Sequence, residues 1–162
     1  MLRTILALGL ASTFLMGFEQ ATPKDPAVAA LCQQIVTIVS PTAGTLVAAV
    51  DGALYDDIAQ RERSGCLIMI SGTWSGLHKE KEPIDRVFDA LTAQGWTQRP
   101  NYGADGPDGT MLGLEKDGLF CLMQGRWDGG DDSDSTYVPL DVYQMTILCT
   151  LLDGKDAPAG TK

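Results

Sequence analysis

The four cysteines limit the folds open to this chain more than any other feature. They stand at positions 32, 66, 121 and 149, without the C-x-x-C spacing of a zinc site or a redox motif. Cys121 and Cys149 lie in two apolar stretches that favour strands, and the midpoint between them is (121 + 149)/2 = 135. Strands that pair antiparallel about that midpoint place these two cysteines opposite each other, within reach of a disulfide. Cys32 and Cys66 then remain for each other, so the spacing predicts the bonds Cys32–Cys66 and Cys121–Cys149.

The N-terminal segment, residues 1–21, has the features of a secretory signal peptide. Arg3 precedes an uncharged, mostly apolar run over residues 4–18, which is shorter than the roughly 20 residues of a membrane-spanning helix. We therefore expect cleavage after this segment and no stable membrane span, with a retained helical anchor as the alternative. An exported chain reaches the periplasm or the exterior, where disulfides form. Residues 22–152 are predicted to form a single α+β domain, and residues 153–162 a disordered tail.

Two segments show helical periodicity. Asp25 is suited to cap a helix and Pro26 to begin it, and apolar residues then recur at helical spacing as far as Val39. In residues 83–94 the apolar side chains form one stripe, and Gly95 supplies the left-handed conformation that ends many helices. Both segments are predicted to be helices with one buried face.

The remaining apolar stretches favour strands and define the fold class. They are CLIMISGTW (66–74), WTQRPNY (96–102, as far as Pro100), TMLGLEK (110–116), LFCLMQGRW (119–127) and VYQMTILCTL (142–151). The last alternates apolar and polar residues, as expected for an antiparallel sheet with one face in water. The predicted fold is an α+β, two-layer sandwich: a mostly antiparallel sheet of four to five strands with the helices packed on one face.

Residues 45–60 are ambiguous. Apolar residues recur there every four positions from Leu46 to Ile58, which favours a helix. Gly52 and Tyr55 allow a turn and a short strand instead. The pattern alone decides neither state.

The charge balance limits the classes of partner. With 12 basic and 21 acidic residues the formal net charge is −9. Because nucleic acids and anionic lipids are also negative, the chain is expected to bind neither and to favour cationic partners. No glycine-rich phosphate loop opens a helix, so no cofactor is predicted.

The acidic stretch RWDGGDDSDSTYVPLD (126–141) is the clearest cluster of functional groups. Its closely spaced carboxylates are candidate metal ligands: Asp128, Asp131, Asp132 and Asp134. The EF-hand pattern fails whether the loop begins at Asp128 or at Asp132, because glycine is missing at position six and glutamate at position twelve. The stretch is therefore predicted to be a solvated strand connection without a high-affinity metal site, with an irregular calcium site and a docking surface as the alternatives. The docking surface would consist of Trp127, Asp131, Asp132, Asp134 and Tyr137.

Other polar residues give weaker indications of catalysis. Ser75 and His78, the one histidine, stand three residues apart, but GTWSG lacks the glycine spacing of a nucleophile elbow. Two carboxylate pairs, Asp56–Asp57 and Asp85–Asp89, are predicted to be solvated surface.

The sequence therefore predicts a small, exported, disulfide-stabilised acidic protein that is not an enzyme. The favoured function is a non-catalytic binding module, of inhibitor or immunity type, for a cationic partner. A hydrolase that uses Ser75 and His78, and a calcium-binding envelope domain, are the alternatives.

Overall fold

The computed structural model of the protein describes residues 25–40, 44–77, 81–106, 109–128, 136, 138 and 140–153. The elements within these ranges are α1 (Pro26–Val39), β1 (Leu46–Asp56), β2 (Arg61–Gly72), α2 (Trp74–Leu77), α3 (Pro83–Thr92), β3 (Thr97–Gly106), β4 (Gly109–Lys116), β5 (Leu119–Trp127) and β6 (Tyr143–Leu151). The predicted signal peptide lies outside the described residues, as does nearly all of the predicted tail. No helix in the described ranges is both long enough and apolar enough to cross a membrane.

The described strands form one antiparallel sheet in the order β1-β2-β6-β5-β4-β3. The sheet-dominated α+β class is as predicted, but the prediction of four to five strands is wrong, because there are six. The additional strand is β1, in the ambiguous segment. Every residue from Leu46 to Asp56 pairs with β2. This pairing satisfies the backbone groups that face β2, in a segment whose apolar spacing favoured a helix.

Local hydrogen bonds and backbone conformation mark the start of α1 and the end of α3. At the start of α1, Oδ1 of Asp25 accepts hydrogen bonds from the amides of Ala27 and Val28 at 2.8 and 3.2 Å. After α3, Gly95 has φ +85°, and the amide of Trp96 donates to the carbonyl of Leu91. Both ends agree with the sequence prediction.

The main core lies between the helices and one face of the sheet. Strand residues alternate between faces, so Cys121 and Met123 of β5 point to the helices while Phe120 and Leu122 point away. Phe120 and Leu122 are also fully buried, in a second cluster with Tyr102 of β3. The predicted two-layer arrangement is therefore wrong, since apolar side chains are buried on both faces.

An irregularity in β3 explains the second cluster. The register between β3 and β4 shifts between Gln98 and Gly103. Such a bulge bends a strand and redirects its side chains. Tyr102 lies in this bulge and packs edge-on against Phe120, with ring centroids 5.0 Å apart. A period-two pattern cannot reveal a bulge, so the sequence did not indicate this packing.

Three of the four cysteines form a row across adjacent strands. Cys149 of β6 lies directly opposite Cys66 of β2 on one side and Cys121 of β5 on the other. Cys121 and Cys149 are bonded across the strand pair, with Cα atoms 4.2 Å apart. Cys66 is bonded instead to Cys32 of α1, with a Cα separation of 6.1 Å. The first bond joins two strands, and the second fastens the helix to the sheet.

Candidate binding cleft

One end of the sheet brings distant parts of the chain together. Tyr143, the first residue of β6, pairs with Gly72 at the end of β2 and with Trp127 at the end of β5. The hairpin formed by β3 and β4 turns at the same end, where Gly109 lies opposite Arg126 of β5. Three groups of side chains therefore lie close together: those just after β2, those at the end of β5 and those at the start of β6.

Three aromatic rings form a stack at this end. The ring centroids of Trp74 and Trp127 are 5.1 Å apart, and both rings lie near that of Tyr143, at 5.9 and 6.3 Å. Tyr143 is completely buried, whereas both tryptophans are partly exposed. Burial raises the pKa of the Tyr143 phenol well above its ordinary value, and the nearby charges of Glu82 and Asp85 raise it further. The rings thus form a fixed apolar wall with its tryptophan edge open to solvent.

A cleft of about 730 Å³ opens beside the two tryptophans. It lies between the start of α3 and the β3–β4 hairpin. Its lining residues are Trp74, Glu82, Ile84, Asp85, Gln98, Gly103, Ala104, Asp105, Gly106, Thr110, Leu112 and Trp127. Three of these side chains are carboxylates and none is basic, so the described lining combines an aromatic wall with negative charge.

The carboxylates reach the cleft from two separate elements. Glu82 and Asp85 come from the start of α3, and Asp105 comes from the end of β3. Oδ1 of Asp105 accepts a hydrogen bond from the hydroxyl of Thr110 at 2.6 Å, which orients the carboxylate across the hairpin. The basic residues that are sequence neighbours of lining residues include Lys81, which pairs with Asp89, Arg86, which is half-buried beside Tyr143, and Arg126, which is exposed and lies opposite Gly109.

A second, smaller depression of about 420 Å³ shares Trp127 with the cleft. Leu140 and Val142 lie along it and are both exposed. Oδ2 of Asp128 accepts a hydrogen bond from the amide of Leu140 at 2.7 Å, which ties the two ends of the β5–β6 connection together. Trp127 therefore stands between an acidic cleft and an apolar depression.

The structure places only part of the predicted acidic surface. Trp127 lines the cleft, and Asp128 serves the contact with Leu140. The other predicted residues lie outside the described residues: Asp131, Asp132, Asp134 and Tyr137. Among the residues that the structure does describe, no three metal-ligating side chains come together as a metal site.

Ser75 contacts an acidic residue rather than a base. Its hydroxyl and its amide donate to the two carboxylate oxygens of Asp141, both at 2.7 Å. These two hydrogen bonds lower the pKa of the Asp141 carboxyl. The contact fastens the residues before β6 to the start of α2. His78, the base of the hydrolase hypothesis, lies outside the described residues.

Asp56 is not the solvated residue that the sequence suggested. It is fully buried, and its Oδ2 accepts from Nε of Arg63 at 2.6 Å and from the hydroxyl of Tyr102 at 2.7 Å. Its Oδ1 accepts from the amides of Ile58 and Ala59 at 3.0 and 2.9 Å. Burial acts to raise the pKa of Asp56, but these donors outweigh it and the pKa is lowered. With four donors satisfied, the carboxylate has a structural role.

Sequence reasoning identified Trp127 but missed the other residues of the cleft. Trp74, Glu82 and Asp85 all lie within residues 74–85 and Asp105 lies at the end of β3, but together they follow no known motif. A strand register would have been the signal, because it places the end of β2 and the end of β5 on either side of Tyr143 at the start of β6.

Comparison of the chain with protein-family models, with curated proteins and with solved structures gives no match. The function must therefore be argued from the cleft itself.

Proposed function

We propose that this protein is an exported, non-catalytic binding module whose acidic aromatic cleft takes a basic segment of a cationic partner protein. An inhibitor or an immunity-type protein acts in this way. The observation that carries the proposal is the combination of Trp74 and Trp127 with three carboxylates around one cleft. Two disulfides and the N-terminal sequence support export.

The chemistry of the cleft suits a lysine or an arginine side chain. A cation over an indole face contributes roughly 0.5–1 kcal/mol at an exposed site, and about 2 kcal/mol when water is removed. Carboxylates at the rim add charge-assisted hydrogen bonds to the same cation. Glu82 at the start of α3 and Asp105 at the end of β3 line the cleft from different elements, so a basic side chain bound in it would meet carboxylates from both.

The net charge of −9 extends this preference beyond the cleft. A negative field attracts cationic partners and speeds their association, and added salt weakens it. Net charge alone would attract a cationic partner to any part of the surface. Binding in the cleft should instead depend on the residues that line it.

The test is calorimetric titration with an arginine-rich peptide at low and at high salt. The variants Trp127→Ala and Asp105→Asn should weaken binding, each by several-fold or more. Tyr55→Ala is the matched control for the aromatic residue, because Tyr55 is an exposed ring on the edge strand β1. Asp117→Asn is the control for the charge, since Asp117 lies in the β4–β5 turn at the other end of the sheet. Its φ of 49° is one that asparagine tolerates.

Equal losses from Asp105→Asn and Asp117→Asn would mean that only the net charge matters, and would refute a specific site. Unchanged binding by Trp127→Ala would refute the role of the aromatic wall. Thermal melting of each variant checks that the fold is retained.

A further inference from the structure

The two edges of the sheet differ in how they are protected. The edge strand β3 contains Pro100 and the irregularity between Gln98 and Gly103. Proline and bulges prevent an edge strand from pairing with another chain. The opposite edge strand, β1, has neither feature. Its 11 residues pair without interruption along β2, and it contains no proline, lysine or arginine.

The surface around β1 is also poor in charge. α1 and β1 together have 14 + 11 = 25 residues, of which only Asp51 and Asp56 are charged. At the 20% charged residues of the whole chain, five would be expected. Asp56 is buried against Arg63, so Asp51 is the one exposed charge of these two elements. α1 packs over β1, β2 and β6, and is therefore the helix that lies nearest to this edge.

We propose that two copies of this chain pair through β1, antiparallel and about a two-fold axis at Val50. The two sheets then form one sheet of 6 + 6 = 12 strands, with both α1 helices on the same face. Among the described strands β1 is a regular edge strand with Asp51 as its one exposed charge, and such an edge is a ready template for pairing. A second copy fits because the strand is complementary to itself in this register.

The register follows from the side chains of β1. About Val50, the exposed Leu46 lies opposite Leu54 of the second copy, and Ala48 opposite Gly52. Asp51 then lies opposite Ala49 of the second copy. A register centred one residue later would place Asp51 opposite its own copy, which is unfavourable because like charges would be directly paired. The Val50 register joins apolar residues and places the two Asp51 residues diagonally, roughly 7–8 Å apart, instead of directly opposite each other.

The test is the oligomeric state, measured by sedimentation velocity up to about 100 μM, a hundredfold above a micromolar dissociation constant. The wild-type protein should be a dimer. Val50→Lys should be a monomer, because two lysines would face each other at the axis, and Ala48→Lys, at an exposed position, should also weaken the dimer. Asn101→Lys, on the protected edge strand β3, is the matched control and should remain a dimer.

Mixing variants of opposite charge tests the register itself. Val50→Glu should also be monomeric alone, but an equimolar mixture with Val50→Lys should form a heterodimer, since the two charges then attract across the axis. A wild-type monomer at the highest concentration would overturn the proposal. So would dimers of both lysine variants on β1, or no heterodimer in the mixture. Circular dichroism shows that each variant is folded, and none of these outcomes bears on the acidic cleft.

Discussion

Nε of Arg63 lies 2.6 Å from Oδ2 of Asp56, and these side chains are only 4% and 0% exposed. The pair joins the third residue of β2 to the last residue of β1, and Tyr102 of β3 donates to the same carboxylate. The guanidinium of Arg63 also lies over the Phe120 ring, 5.0 Å from its centroid. Buried charges connect β1 and β2 to the second apolar cluster.

Removing one member of this pair should destabilise the fold strongly. We expect Asp56→Ala to lower the free energy of unfolding by about 3–5 kcal/mol, because it leaves Arg63 buried without its counter-charge. Urea denaturation measures the loss. The control is Asp153→Ala, which breaks the solvated pair of Asp153 with Arg61 and should cost no more than about 1 kcal/mol. Similar costs for the two variants would contradict this account.

The same carboxylate should make stability depend on acid. The pKa of Asp56 is lower in the folded state than in the unfolded state, where a carboxyl titrates at about pH 4. Its contribution is therefore present above that pH and is lost as the pH falls through the folded pKa. In urea denaturation at decreasing pH, the difference between wild-type and Asp56→Asn should narrow below about pH 4. If the difference in unfolding free energy between the two proteins does not change with pH, the Asp56 carboxylate does not make stability depend on acid.

Tyr143 should produce the opposite dependence at alkaline pH. Its folded pKa is raised, so its contribution is present below the unfolded value of about 10 and is lost as the pH rises above it. Tyr143→Phe should reduce the alkaline fall of the melting temperature. Tyr55→Phe, which removes a hydroxyl from a half-exposed ring, is the matched control. If the melting temperature falls equally in the wild-type protein and in Tyr143→Phe, Tyr143 is not the cause of the alkaline loss of stability.

The second apolar cluster should tolerate no added atom at Gly113. A Cβ at this position would lie 2.6 Å from Cβ of Tyr102 and 3.0 Å from Cε2 of Phe120. We expect Gly113→Ala to cost about 1–3 kcal/mol of unfolding free energy. Gly106→Ala is the control, since the nearest atom to its Cβ would be 3.8 Å away, and it should change stability by less than about 0.5 kcal/mol. A tolerated Gly113→Ala would mean that Tyr102 moves freely.

Both disulfides should be closed in protein purified without a reductant. Alkylation without a reductant, followed by intact mass measurement, should label no thiol, and two or more labels would refute the prediction. The bonds close segments with sequence separations of 34 and 28 residues. Replacing either pair by alanine should therefore lower the unfolding free energy by about 3–4 kcal/mol.

Local sequence patterns were sufficient for several features of this protein. Asp25 and Pro26 marked the start of α1, and Gly95 the end of α3, because capping depends on neighbouring residues alone. The midpoint between Cys121 and Cys149 correctly predicted the β5–β6 register, since an antiparallel pair has a simple mirror symmetry.

Only the tertiary structure decided the remaining features, because they depend on pairing between distant residues. Residues 46–56 form a strand since β2 supplies hydrogen-bond partners that override the apolar spacing. Asp56 is buried because Arg63 balances its charge and Tyr102 donates a hydrogen bond to it. Both partners lie on other strands, so the neighbouring residues Asp56 and Asp57 gave no sign of this burial in the sequence. The cleft exists because the strand registers bring Trp74 beside Trp127. This contact joins two segments that are far apart in the chain, so no pattern within either segment predicts it.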